Sequence, residues 1–103
     1  MNTSQPSGAL SMPVLTLFVT GTAPRSQRAR ANLARMLARI GRSDIRHHEV
    51  DLLAQPEQAV TNSVFATPSL LKTNDTGDVF VLYGDLADEE SLHRFLSELA
   101  YDN

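Results

Sequence analysis

The sequence contains no cysteine. That absence excludes a disulfide framework, a thiolate metal site and any thiol nucleophile. No apolar run approaches the roughly 18 residues that a membrane-spanning helix needs. The first residues are rich in Ser, Pro and Asn, with no basic segment leading into an apolar one. They do not read as a signal peptide, and a cytoplasmic location is expected. The net charge of -3 argues against nucleic acid as a partner. No glycine-rich loop is placed to cradle a phosphate. Lysine is nearly absent too, since all but one of the nine basic side chains are arginine.

What remains is a short, well-filled chain. Its 103 residues allow one domain, and a chain of this size buries roughly two thirds of its unfolded surface. A hydrophobic content of 42% suits a globular core. Residues 1–13 read as a flexible tail and residues 14–103 as the domain. There is no internal repeat. Charge is unevenly distributed: Arg25, Arg28, Arg30, Arg35, Arg39 and Arg42 crowd one stretch, whereas the last third is acidic. Such an asymmetry can steer a partner or a second copy.

Val14 to Val19 is a nearly continuous apolar run of β-formers, the pattern of a strand covered on both faces. After the turn Thr20 to Pro24, apolar residues Ala29, Leu33, Met36, Leu37 and Ile40 recur at helical spacing. They predict a helix from about Ser26 to Ile40, closed by Gly41. Ile45 to Leu53 predicts a second strand. Pro56 opens a short helix that ends before Val64. Ser69 to Lys72 and Val79 to Tyr83 predict strands joined by the polar hairpin Asn74 to Asp78. Asp88 to Ala100 predicts a last helix with Leu92, Phe95, Leu96 and Leu99 inward and acids in its positive first turn.

This order is βαβαββα, an α/β class in which a parallel βαβ half precedes an antiparallel ββα half, the thioredoxin-like arrangement. In that fold a Thr-Pro or similar pair opens the third strand through a cis bond. Ala66-Thr67-Pro68-Ser69-Leu70 stands at that place, although cis X-Pro bonds are only about one in twenty overall. The redox motif of such folds would lie at Gly21 to Arg25. Thiol exchange requires an attacking sulfur, so an oxidoreductase is excluded.

The ordered motifs Leu17-Phe18-Val19-Thr20-Gly21, Pro24, Ser26-Gln27-Arg28-Ala29, Val50-Asp51-Leu52-Leu53, Gln55-Pro56, Ala66-Thr67-Pro68-Ser69-Leu70 and Gly84-Asp85-Leu86 resemble those of the circadian clock protein family KaiB. The likeness extends over about residues 14–100. It implies a non-enzymatic, protein-binding regulator of a KaiC-like ATPase, a hexameric ring, or of a related signalling kinase in a circadian or stress-response system. It also implies two possible folds: the thioredoxin-like one, and a tetrameric ground state whose second half is βααβ-like. Thr67, Pro68, Gly84 and Asp85 are then the candidate cis-proline and fold-switch positions. Arg28, Arg35, Arg39, Asp51 and Pro56 are the candidate partner-binding residues. No residue is assigned to catalysis or to a metal, and no cofactor is implied. Two departures stand out. Thr73 to Asp78 replaces the family's Pro-rich basic segment and favours a plain hairpin, so the thioredoxin-like state is the expected resting form. Asn62-Ser63 replaces a basic residue that the family often places before Ala-Thr-Pro.

Two other classes compete with the regulator: a cysteine-free enzyme or glutathione-binding relative using the Thr67-Pro68 loop, and a structural or oligomerisation module. At 100° per residue, Arg28, Arg35, Arg39 and Arg42 fall within about 60° of one another, opposite the apolar face. They form either a solvated face or a docking stripe for acids of a partner or neighbouring subunit. His47 and His48 point to opposite faces of their strand and cannot share a metal. Asp51, flanked by apolar residues, reads as a paired, partly buried acid with no catalytic partner.

Overall fold

A computed structural model describes residues 14–45, 47–74 and 76–100, with side chains described as far as Ser97. The predicted tail, Asp75 of the hairpin and the inward Leu99 lie outside the described side chains. The elements are β1 (Leu15–Val19), α1 (Pro24–Arg39), β2 (His47–Asp51), α2 (Glu57–Thr61), β3 (Ser69–Thr73), β4 (Val79–Tyr83) and α3 (Glu89–Ala100). They form a four-stranded sheet in the order β2-β1-β3-β4. β1 and β2 are parallel, while β1 with β3 and β3 with β4 are antiparallel. The chain is therefore in the thioredoxin-like arrangement. Val79 to Tyr83 is a strand and residues 89–100 are helical, unlike the alternative βααβ-like half.

Alternation along β1 explains why its run is so apolar. Leu15, Leu17 and Val19 enter one core with Ala29, Leu33, Met36 and Leu37 of α1, Leu70 of β3 and Leu92 and Leu96 of α3. Phe18 enters a smaller core on the opposite face with Val50, Val64 and Leu71. Each fully buried leucine of this kind contributes about 1.5–3 kcal/mol relative to an exposed one. The α1/α3 face is thus deeply filled. The α2 face is thin, and α2 itself buries no residue.

The boundaries differ from the sequence expectation where a single residue overrides the pattern. α1 begins at Pro24, earlier than Ser26, because a proline fits the first helical turn and its missing N–H has no helical partner to lose. Its end follows the forecast: Gly41 adopts φ +76. Gly41 N–H donates to the Ala38 carbonyl at 3.1 Å and Arg42 N–H to that of Leu37 at 2.8 Å, a Schellman closure. β2 is shorter than expected, because the Asp51 carbonyl accepts the N–H groups of Ala54 and Gln55 and turns the chain. Among the described residues no helix is long and apolar enough to cross a membrane.

Candidate functional site

The end of the sheet from which β1 enters α1 gathers most of the singled-out residues. Just beyond β1, the Thr20 N–H donates to Ser26 Oγ at 3.0 Å, which places a buried serine under the first turn of α1. The next residue, Gly21, donates its N–H to Asp51 Oδ1 at 3.0 Å, and Leu53 N–H donates to the same oxygen at 2.9 Å. Asp51 is therefore a clamp that holds the β1–α1 loop against the end of β2. The Gly21 and Leu53 amides, and then the charge of Arg30, hold its carboxyl below the usual aspartate value. Gly21 itself is required by its backbone, at φ +50, and a Cβ there would lie 3.0 Å from Leu53 Cδ1.

Arg30 completes this clamp, although the sequence reading left it without a role. Its Nη2 donates to the Gly21 carbonyl at 3.0 Å and pairs with Glu49 of β2 at 2.8 Å. The hydrogen bond to Glu49 is the main reason its pKa is raised. The signal was available in the helical wheel, where Arg30 falls beside Ser26 and Leu37, on the side that meets the sheet, not in the outer stripe.

On the same end, the Thr67–Pro68 peptide bond is cis, and the hydroxyls of Thr20 and Thr67 are hydrogen-bonded to each other. The Pro68 carbonyl accepts the Gly84 N–H at 2.9 Å, which joins this turn to the loop after β4. In that loop Gly84 has φ +112 and the buried Leu86 has φ +65. Arg28 Nε donates to Asp85 Oδ2 at 3.0 Å, Asn32 Nδ2 to the Asp85 carbonyl at 2.9 Å, and Ala87 N–H to Asp85 Oδ1 at 3.1 Å. Arg28 first, then the Ala87 amide, keeps the Asp85 carboxyl below its ordinary pKa. Arg25, Tyr83, Gly84, Asp85, Asp88 and Ser91 line a cleft of about 210 Å³ here.

The arginine stripe meets acids of its own chain. Beyond Arg28, Arg39 pairs with Glu89 of α3 at 2.9 Å and Arg42 with Asp44 at 3.0 Å. Arg35 Nη1 donates to Asn32 Oδ1 at 2.8 Å, one step from Asp85. Arg28 and Arg39 of the stripe thus hold the Gly84–Asp88 loop and the start of α3 against α1. Pro56 is exposed and stands apart at the start of α2. His47 and His48 occupy successive positions of β2, opposite Leu15 and Thr16, and among the described residues no group of His, Asp and Glu could hold a metal ion.

At the clamp Leu53 is 71% exposed, and on the turn that carries Thr67, Phe65 is 84% exposed. Large apolar groups beside a rigid loop are suited to contact with a protein surface. A family model for the KaiB domain matches residues 16–97. The chain belongs to the KaiB family. The circadian clock protein KaiB3 of Synechocystis sp. is 36% identical over 59 residues, which are 57% of this chain and 58% of that relative. The chain thus spans about 58% of the length of the curated KaiB relative it matches. The solution structure of the N-terminal domain of Synechococcus elongatus SasA matches with a TM-score of 0.67 and 24% identity, covering 99% of this chain and 97% of that one. The oxidised mitochondrial thioredoxin 3 of Saccharomyces cerevisiae matches at 0.67 and 15% identity, covering 87% of this chain and 83% of that one. These structural likenesses establish the thioredoxin-like fold. Within it, this KaiB-family chain carries Thr22, Ala23 and Pro24 where a redox protein would need sulfur.

Proposed function

We propose that this chain is a non-enzymatic, protein-binding regulator that acts in the cytoplasm on a KaiC-like ATPase ring or a related signalling kinase, within a circadian or stress-response system. The observation that carries this reading is the clamped, sulfur-free end of the sheet. Asp51 and Arg30 fix the β1–α1 loop from two sides; Leu53 stands exposed beside it, and Phe65 is exposed two residues before Thr67, whose hydroxyl bonds that of Thr20. A preorganised loop loses little conformational entropy on docking, and exposed apolar groups next to it supply area. Thr67, Pro68, Gly84 and Asp85 hold the two turns of this end together, and they are the positions at which a change of fold would begin. Arg28, Arg35, Arg39, Asp51 and Pro56 border it as candidate contacts or supports.

The test is co-purification of the tagged full chain with a KaiC-like ATPase, with ATP and with ADP, beside the double variant L53S/F65S. Complex formation that the variant weakens about tenfold or more supports the proposal, as loss of two apolar anchors that docking would cover predicts. Absence of a complex with the ATPase in both nucleotides and with a related signalling kinase overturns it.

A further inference from the structure

The two edges of the sheet differ in a way that the family relationship does not address. β2, at one edge, presents His47, His48, Glu49 and Asp51, the polar side chains that discourage edge-to-edge pairing. β4, at the other edge, reads Val79-Phe80-Val81-Leu82-Tyr83 and carries no charge, proline or glycine. Val79 is 54% exposed, Phe80 46% and Tyr83 48%.

The hydrogen-bond parity of this strand defines what its free side offers. Asn74 N–H donates to the Asp78 carbonyl at 3.0 Å, and Gly84 N–H to the Pro68 carbonyl at 2.9 Å. Together with the register Leu70↔Leu82 and Lys72↔Phe80, these bonds make the even-numbered residues of β4 the ones that exchange bonds with β3. Val79, Val81 and Tyr83 therefore direct N–H and C=O away from the sheet. Among the described residues no strand takes them up.

The strand is also complementary to itself. Reversed about Val81, it sets Val81 against Val81, Val79 against Tyr83, and Phe80 against Leu82. The odd-numbered pairs are of the hydrogen-bonded type, so each exchanges both N–H···O bonds. The Phe80–Leu82 pairs are of the closer, non-bonded type, and aromatic–aliphatic contacts are favourable there. The flanking acids meet no like charge: in this register Asp78 falls opposite Gly84 and Asp85 opposite Gly77. Asp85 is moreover already held by Arg28.

We propose that β4 is a self-association edge, at which a second copy of this chain adds antiparallel about a two-fold axis through Val81, giving one continuous sheet across the dimer. A single short strand makes this a weak, concentration-dependent contact. It leaves the Asp51 clamp uncovered and does not depend on the identity of the protein that binds there.

Sedimentation equilibrium of the full chain over about 0.01–1 mM tests this. The mass is expected to climb from 11.3 kDa towards twice that value. A mass that stays at one copy, or that climbs to four, overturns the proposal. In this register V79K/Y83K sets lysine against lysine at both outer bonded pairs, and both positions are exposed. It should weaken association about tenfold or more while leaving the unfolding midpoint near that of the parent. Mixing it with V79E/Y83E should restore dimers of one copy of each. Undiminished association of V79K/Y83K, or equal loss in V60K on α2, overturns the register. As a second readout, exchange of the Val81 amide should slow with rising protein concentration. Exchange independent of concentration counts against the pairing.

Discussion

Arg28 and Asp85 lie 57 residues apart in the chain and meet at 3.0 Å. The contact ties the second turn of α1 to the loop that launches α3, and Asn32 reinforces it through the Asp85 carbonyl. A basic helix and an acidic C-terminal third are thereby joined within one molecule. The charge asymmetry of the sequence serves internal assembly before it serves any partner.

A double-mutant cycle on R28A and D85A should return a coupling below about 1 kcal/mol, because the Arg28 side chain is 54% exposed. D85A alone should cost more than R28A, since it also removes the acceptor of the Ala87 amide. Urea unfolding at low and high salt checks both statements. Equal single-mutant losses would show that the Ala87 contact contributes nothing.

The pH dependence follows from the same kind of contact. Asp51, Asp85 and Asp88 all have carboxyls held below the ordinary value of 3.8. Each folded-state pKa is depressed, so the stabilisation is complete above the unfolded value and is lost as pH falls through the folded one. Thermal midpoints should be flat from about pH 7 to 5 and drop below about pH 4. D51N keeps an acceptor for the Gly21 amide but cannot titrate, and its acid limb should be shallower than that of the parent. An unchanged limb would remove Asp51 from this account.

Gly84→Ala isolates a backbone cost. The nearest atom a Cβ would meet is Arg25 Nη2 at 3.9 Å, so there is room. The residue nevertheless sits at φ +112, which L side chains rarely adopt. The expected loss is about 1–2 kcal/mol by denaturant unfolding, with the m-value unchanged. A loss near zero would mean that the loop relaxes to another path.

Ser69 gives the opposite sign. It is fully buried, and its Oγ has no hydrogen-bond partner among the described residues. Ser69→Ala should be neutral or stabilise by up to about 1–2 kcal/mol, because it removes a desolvated hydroxyl and leaves almost no void. A clear destabilisation in the same unfolding assay would reveal an acceptor or a water at this site.

How much of this was readable in advance depends on the range over which a residue acts. The limits of β4, the Gly41 closure and the inward face of α1 rest on local periodicity and backbone preference, which a window of sequence contains. The start of α1 turned on one proline. The Asp51–Gly21–Arg30 clamp and the Arg28–Asp85 contact join segments whose relative placement only the sheet determines. Lys72 is the sharpest instance. It is the single lysine of the chain and the last residue of a predicted strand, and nothing local marks it for burial. In the fold it is buried, donates to the Phe95 carbonyl at 2.6 Å, and lies 4.8 Å from the Phe95 ring centroid.

The clamp on Gly21 sets the shape of the β1–α1 loop from outside that loop, through a carboxylate at the end of β2 and a guanidinium on α1. Thr22 in the loop and Arg25 just inside α1 therefore display their side chains without determining where the loop backbone runs. Such a loop is a fixed frame with exchangeable lettering. Its recognition surface can be rewritten residue by residue while the frame, and the core beneath it, keep their form.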